Sequence, residues 1–310
     1  MADSNDPTES KRRIIVGLGE LLWDLLLDGK RLGGAPANFA FMISQLGDRG
    51  IVASRVGRDA LGDEATNYLQ GRGLAIAHVQ RDELHPTGTV GVRIDDDGQA
   101  DYQIVEDVAW DYLEWSDQLA TLAGEANAVC FGSLAQRAPQ SRETIRRFLK
   151  ATRRDALRIF DVNLRQPFYS AETLSECMSV ANIVKLNHEE LPRVAEMLGL
   201  GGRGENAWAH RLIQVFDLAM VCVTRGANGS LLITSTDLIE SPGLKINVAD
   251  TIGAGDAFTA ALVHCYLRQT PLERIGEVAN QLGAWVATQA GAMPVIDDQV
   301  LARLICLTEN

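Results

Sequence analysis

The chain predicts an α/β fold with a mostly parallel central sheet and a small antiparallel sheet beside it. Two observations carry the first part. Short apolar runs recur along the sequence, and helical patterns separate most of them. Alternation of this kind places helices on both faces of one sheet. The second sheet follows from a single segment whose two arms partly alternate polar and apolar residues.

The apolar runs are Ile14–Leu18, Ile51–Val56, Ala128–Phe131, Leu157–Val162, Ile183–Leu186, Ala219–Val223 and Ser230–Ile233. Continuous runs of this length read as parallel strands buried on both faces. The half-polar arms are Thr89–Ile94 and Ala100–Val105. They flank Asp95-Asp96-Asp97-Gly98, a good hairpin turn. The hairpin reads equally as a lid inserted into the α/β unit or as an ordinary sheet edge.

Two helix starts stand out. Pro36 suits the first turn of a helix that Gly47 ends, which puts Asn38 near the Gly33-Gly34 pair. The pair lets the backbone approach a ligand, or simply makes a turn. The stretch Asp250-Thr251-Ile252-Gly253-Ala254-Gly255-Asp256 opens the second helix. Residues 257–267 are nearly all apolar or small, so this helix is expected to be core on every side. Its free N–H groups and positive dipole end suit an anion, and small residues at 253–255 let it come close. Asp256 sets a carboxylate beside that anion site. The pairing suits phosphoryl transfer, where one group takes a hydroxyl proton and another steadies phosphate charge. Asp near a helix start also serves as a plain cap.

Composition bounds the function. The chain has 310 residues, 46% hydrophobic and 23% charged, which is globular composition with length for a large core. A net charge of −12 argues against nonspecific nucleic-acid binding and against an anionic membrane surface. The five cysteines are scattered with no CxxC pair, so reduced, mostly buried thiols in a cytoplasmic protein are expected. Residues 1–12 read as a polar, disordered tail with no signal-peptide core, and no run is long enough to span a membrane. There is no GxxxxGK[ST] loop, and Gly17-Leu18-Gly19 lacks the third glycine of a dinucleotide fingerprint.

Five motifs in order resemble the ribokinase-like (PfkB) family of carbohydrate kinases. They are Gly33-Gly34-Ala35-Pro36-Ala37-Asn38, Asp161-Val162-Asn163-Leu164-Arg165, Asn187-His188-Glu189-Glu190, Val223-Thr224-Arg225-Gly226-Ala227-Asn228-Gly229 and Asp250–Asp256. The subgroup looks like bacterial fructokinases, from the Gly-Gly-Ala-Pro-Ala-Asn form, His85-Pro86-Thr87-Gly88-Thr89, Val108-Ala109-Trp110-Asp111 and Gly132-Ser133-Leu134-Ala135-Gln136-Arg137. The resemblance implies a ribokinase-like three-layer sandwich over residues 13–310, with lid segments near 21–32 and 87–110. It implies transfer of the ATP γ-phosphate to a sugar hydroxyl with Mg²⁺.

By similarity, Asp256 is the base and Gly253, Ala254 and Gly255 form the anion hole. A helix N-terminus lowers an Asp pKa, so Asp256 is expected to be a weak base at rest, tolerable where the proton leaves late. Asp24 resembles the family's sugar-binding Asp, with Gly33, Gly34 and Asn38 completing that side. Arg165 resembles an Arg that approaches the phosphate or the sugar; a surface salt bridge is its bland alternative. Gln103 and Gln136 are weaker sugar-site candidates. Asn187 and Glu190 match the element that organises Mg²⁺ through water, and their spacing also fits a helix cap. Thr224, Gly226 and Gly229 match the loop along the ATP phosphates and ribose, and Asn280 falls near adenine. Asp250 and Ile252, with Val286, Gln289 and Gly291, match a monovalent-cation loop, which adds K⁺ to the expected ions. Family members dimerise through the lid, so a homodimer is an expectation too. Trp23 is a departure, since many fructokinases carry a smaller residue beside the sugar-binding Asp.

The leading reading is a fructokinase. A 2-keto-3-deoxygluconate kinase, a ribokinase and a nucleoside kinase are alternatives that share Asp256. A non-catalytic sugar sensor predicts erosion of the Asp256 site, and none is seen. A dinucleotide-dependent oxidoreductase needs a fuller glycine fingerprint.

Overall fold

The computed structural model describes residues 12–26, 29–94 and 100–309. The expected N-terminal tail lies, apart from Arg12, outside the described residues, as does the Asp95–Gly98 turn.

All seven apolar runs form strands. They are β1 (Ile14–Leu18), β4 (Arg49–Gly57), β8 (Ala128–Gly132), β9 (Leu157–Asp161), β10 (Ile183–Asn187), β11 (Met220–Thr224) and β12 (Ser230–Ile233). With β5 (Val79–Asp82) and β13 (Leu238–Ser241) they make a nine-stranded sheet, ordered β13-β12-β11-β10-β9-β8-β1-β4-β5. The pairs from β5 to β11 are all parallel. One expectation fails here: Ser230–Ile233 pairs antiparallel with β11, Thr224 opposite Ser230. Only residues 225–229 join the two strands, too few for the crossover that a parallel pair needs.

Helices cover both faces. One layer is α1 (Ala35–Gln45), α2 (Ala60–Gly71), α8 (Ala254–Tyr266) and α9 (Leu272–Ala287). The other contains α3 (Asp117–Glu125), α4 (Pro139–Ala151), α5 (Ala171–Val180), α6 (Glu190–Met197) and α7 (Glu205–Phe216). Strand residues alternate between the two cores: Ile183 packs with the α8 layer, Val184 and Leu186 with the other. Helix α8 is buried from Ala257 to Val263, as its uniform apolarity predicted. Its far end is tied down by Asp48, which accepts from Arg268 Nη1 and Nη2 at 2.8 and 2.9 Å and lies 2.8 Å from His264 Nδ1. Pro36 sits in the first turn of α1, and Gly47 follows its last turn with φ +92°.

A second sheet, ordered β3-β2-β6-β7, joins two hairpins. Strands β2 (Leu22–Leu26) and β3 (Gly29–Gly33) pair antiparallel, as do β6 (Gly88–Ile94) and β7 (Ala100–Ile104). The hairpins meet along a parallel β2–β6 seam, because β6 arrives after the excursion through β4, α2 and β5 rather than from a turn. Trp23 anchors this sheet from below. It is 5% exposed, donates from Nε1 to Leu61 O at 2.9 Å and meets the Tyr68 ring edge-on. Strand order reverses about β1, whose sheet neighbours β4 and β8 lie on opposite sides. In open α/β sheets, ligands bind outside the carboxyl ends of the strands at such a point.

Candidate active site

The carboxyl ends of β1, β8, β9 and β10 bring together residues far apart in sequence. Gly253 begins the site, with φ +79°, and a β-carbon there would lie 2.7 Å from that of Ala292. Only glycine can make this turn. Ala254, Gly255 and Asp256 follow as the first residues of α8, with their N–H groups at its positive end. Asp256 Oδ2 accepts from Asn38 Nδ2 at 2.8 Å, which joins the first turns of α1 and α8.

The basicity of Asp256 differs from expectation. The helix start was expected to make it a weak base; instead its pKa is raised to about 6. Burial does most of this and the Asp161 carboxylate adds to it, while Asn38, Lys185 and Arg165 pull the other way. Asp256 can therefore take a proton near neutral pH.

Asp24 lies on β2 opposite Arg31 of β3, two residues along from Leu22, the partner of Gly33. A β-carbon at Gly33 would stand 2.5 Å from Asp24 Oδ2, so glycine there makes room for the carboxylate. Burial raises the Asp24 pKa, Arg165 opposes the rise and Asp250 adds to it. Gly34 precedes α1 with φ +113°. Arg165 is exposed at the mouth, with Nη1 3.3 Å from Leu164 O, and its charge reaches Asp24, Glu20 and Asp256. Gln103 is exposed on β7 opposite Gly91. Gln136 does not join the cluster: it is buried, and its Nε2 donates to Gly132 O at 2.8 Å and lies 2.9 Å from Cys177 Sγ.

Thr224, Gly226, Gly229, Gly255 and Asn280 all line one cavity of about 500 Å³, walled also by Phe258 and Val248. Asn280 Nδ2 donates to Ser241 O at 3.1 Å, holding β13 against α9. Gly255 lines this cavity and neighbours Asp256, so the two regions meet at the start of α8.

Asn187 and Glu190 form the cap that their spacing suggested. Asn187 Oδ1 accepts from Glu190 N, and Glu190 Oε2 accepts from Asn187 N, both at 2.8 Å. Glu190 Oε1 also accepts from Leu164 N at 2.8 Å, pinning the loop before Arg165. Asn187 Oδ1 accepts from Glu189 N as well, at 2.9 Å, but each Glu190 oxygen keeps a lone pair, so a hydrated Mg²⁺ fits beside Glu190 in its outer shell. Among the described residues, no group of three or more His, Cys, Asp or Glu could hold a metal directly. The segments holding Asp250, Ile252, Val286, Gln289 and Gly291 do meet. Asp250 accepts from Ile252 N at 3.0 Å and from Gly291 N at 3.3 Å, and Gln289 N donates to Val286 O at 2.9 Å. Arg31 Nη1 lies 3.2 Å from Asp250 Oδ2 and links β3 to this loop.

Three charged residues here were given no role from the sequence, although Asp161 opens one of the quoted motifs. Glu20 follows β1, is 3% exposed, and its Oε2 is buried with no hydrogen-bond partner. Burial lifts its pKa to about 7; its own N–H and that of Ala35 oppose the rise, and Asp256 adds to it. Asp161 and Lys185 are the other two, a buried pair below α8. A lone Lys inside the apolar run Ile183–Leu186 was the available signal.

The profile of the pfkB family carbohydrate kinase matches residues 28–299. The chain belongs to that family. The sugar kinase PH1459 of Pyrococcus horikoshii, described as uncharacterised, is 30% identical over 90% of this chain and 91% of its own. Its structure in complex with ATP superposes with a TM-score of 0.76 over 94% of that chain. A fructokinase of Escherichia coli is 30% identical over 90% of this chain and 94% of its own. The fructokinase of Vibrio cholerae O395, in its fructose-, ADP- and calcium-bound form, is 26% identical with a TM-score of 0.80 over 97% of this chain and 100% of that one. The α/β architecture described above is thus that of the pfkB-family sugar kinases. Cys130, Cys177, Cys222 and Cys265 of this family member are buried free thiols, and no described helix is long and apolar enough to cross a membrane.

Proposed function

We propose that this pfkB-family kinase transfers the γ-phosphoryl group of ATP to a hydroxyl of a free sugar, with fructose the first candidate. The observation that carries the reading is a set of hydrogen-bond acceptors gathered around Asp256. Asn38 Oδ1 and Glu20 Oε2 are both buried without partners. Buried acceptors in that state call for donors, and a polyol is a dense source of hydroxyl donors. Asp24 adds another carboxylate on the β2 side.

In this reading the sugar lies between the β3-β2-β6-β7 sheet and the start of α8. Asp24 and Asn38 bind its hydroxyls, Gly33 and Gly34 admit it, and Gln103 reaches it from the lid. The reacting hydroxyl oxygen attacks the γ-phosphorus as the bond to the β,γ-bridging oxygen breaks, and its proton passes to Asp256. ADP leaves with the bridging oxygen. The N–H groups at Gly253, Ala254 and Gly255 steady the phosphoryl oxygens, and Arg165 closes the mouth with a second positive charge. Adenosine occupies the cavity of Thr224, Gly226, Gly229 and Asn280. Mg²⁺, when bound, neutralises phosphate charge; Asn187 and Glu190 would hold it through water. The Asp250, Ile252, Val286, Gln289 and Gly291 loop would take K⁺ by its backbone oxygens. Trp23 is engaged in packing against Leu61 and Tyr68, so its bulk does not argue against fructose.

ATP consumption against a panel of free sugars, 2-keto-3-deoxygluconate and nucleosides, with Mg²⁺ and with or without K⁺, tests this. Turnover with fructose above the others is expected. Turnover with a different acceptor keeps the chemistry and reassigns the pocket; none with any acceptor sinks the reading. Asp24→Ala removes a charged acceptor from the sugar alone. It should raise the sugar KM about ten- to a hundredfold and leave the ATP KM within a few-fold. An unchanged sugar KM removes Asp24 from the site.

The pH profile has a definite sign. Asp256 acts as a base only when ionised, and its pKa stands at about 6. So kcat/KM should be level above about pH 7 and fall about tenfold per unit well below 6. A profile still flat at pH 5 would exclude a base with this pKa.

A further inference from the structure

Lys185 is a cation set in the middle of a buried strand. Strand alternation places it on the α8 side of β10, directly opposite Asp161 on β9. Its Nζ lies 3.0 and 3.1 Å from the two Asp161 oxygens. Their side chains are 9% and 6% exposed. Thr259, in the first turns of α8, has its Oγ1 3.1 Å from Asp161 Oδ2 and 2.9 Å from Gly255 O. A β-carbon at Gly255 would stand 3.2 Å from Lys185 Nζ, so the ammonium packs beneath the start of α8.

Such an arrangement is costly for stability alone. The attraction within a buried ion pair often fails to repay the desolvation of its members, and an apolar pair of the same volume does as well. A cation close to a helix N-terminus is further opposed by the helix dipole. An anion arriving over the same N–H groups adds an attraction to the ammonium that offsets part of both costs. We infer that Asp161 and Lys185 are positioning residues for phosphoryl transfer: the pair ties the sheet to the first turn of α8 and balances the charge around Asp256. This rests on Asp256 being the proton acceptor.

Every charged group facing Asp256 enters the balance. Asp161 from β9 and Glu20 after β1 disfavour its ionised form, while Lys185 from β10 and Arg165 after β9 favour it, as does the Asn38 hydrogen bond from α1. Lys185 itself also faces Glu190 of α6, and Cys130 of β8 completes the wall. Removing either member of the pair therefore leaves an uncompensated charge of known sign next to Asp256.

The test reads Asp256 directly. The ¹³C carboxyl resonance of Asp256, assigned by its loss in Asp256→Asn, is titrated in the full-length protein without ligands. Lys185→Met leaves the Asp161 anion and should move the midpoint up by about one pH unit. Asp161→Asn leaves the Lys185 cation and should move it down by a similar amount. The double variant should return close to the wild-type value. The acid limb of kcat/KM for fructose should follow the same three directions; substrate ionisation is common to all variants and cancels. Should Lys185→Met not fold, the comparison of Asp161→Asn with the double variant isolates Lys185, whose removal must raise the midpoint. Midpoints that stay put, or that move the same way in both single variants, overturn the inference and leave the pair a structural tie. The base reading fails separately: it falls if Asp256→Asn keeps its turnover, whatever the midpoints do.

Discussion

Asp256→Asn is expected to lower kcat by about a hundredfold to ten-thousandfold, the usual worth of a positioned general base. The substitution is nearly isosteric and leaves a polar group beside Asn38, so the start of α8 should keep its shape. What disappears is the proposed acceptor of the proton as the oxygen–phosphorus bond forms. The proposed nucleotide cavity draws its walls from Thr224, Gly226, Gly229, Gly255, Phe258 and Asn280, none of which changes. ATP affinity should therefore stay within a few-fold, measured by calorimetry beside single-turnover rates with fructose. A rate near wild type would remove the base assignment; lost ATP binding would mean the variant had disturbed the helix instead.

The largest effect on stability is expected from Asp48→Ala, far from the reacting groups. Asp48 is 4% exposed and bonds His264 and both terminal nitrogens of Arg268 at the carboxyl end of α8. Burial pushes its pKa up, but the His264 and Arg268 contacts prevail and hold it well below the ordinary carboxylate range. Removing the carboxylate leaves a half-buried guanidinium and an imidazole without their partner, a loss of about 3 kcal/mol. Thermal or urea unfolding at pH 7 reads it. The sign with pH follows from linkage. A depressed carboxylate contributes its full stability above its unfolded pKa and loses it as the pH falls through the folded value. The gap between wild type and variant should thus be constant from pH 8 down to about 5 and close only in strong acid. A gap that closes well before strong acid would remove the Asp48 carboxylate as the source of this stability.

The expected architecture was legible because its signals are local. The run Ile183–Leu186 can satisfy its backbone only in a strand and its side chains only under two layers of helix. Likewise α8 is apolar on every face and has nowhere to go but the core. The glycine at 253 and the pair at 33 and 34 showed where the backbone had to turn or make room. The antiparallel pairing of Ser230–Ile233 was not legible from apolarity, since a buried strand looks the same in either direction; the short connection decided it. Gln136 illustrates the opposite limit. An amide after a strand end looks the same whether it faces a sugar or Cys177, and the neighbours that settle it come from α5.

By itself, the sequence determined that this chain builds a parallel α/β sheet, that two glycine turns open helices at its carboxyl edge, and that Asp256 stands beside an anion-ready helix start. These are properties of residue type and spacing. Only the tertiary structure decided how basic Asp256 is. A helix N-terminus argues for a low pKa, and that argument holds for an exposed helix. Here burial and the Asp161 carboxylate outweigh Asn38, Lys185 and Arg165 and lift Asp256 to about 6. Desolvation and the field of a residue 95 positions away depend on what the fold packs together, so no local pattern around Asp256 encodes them.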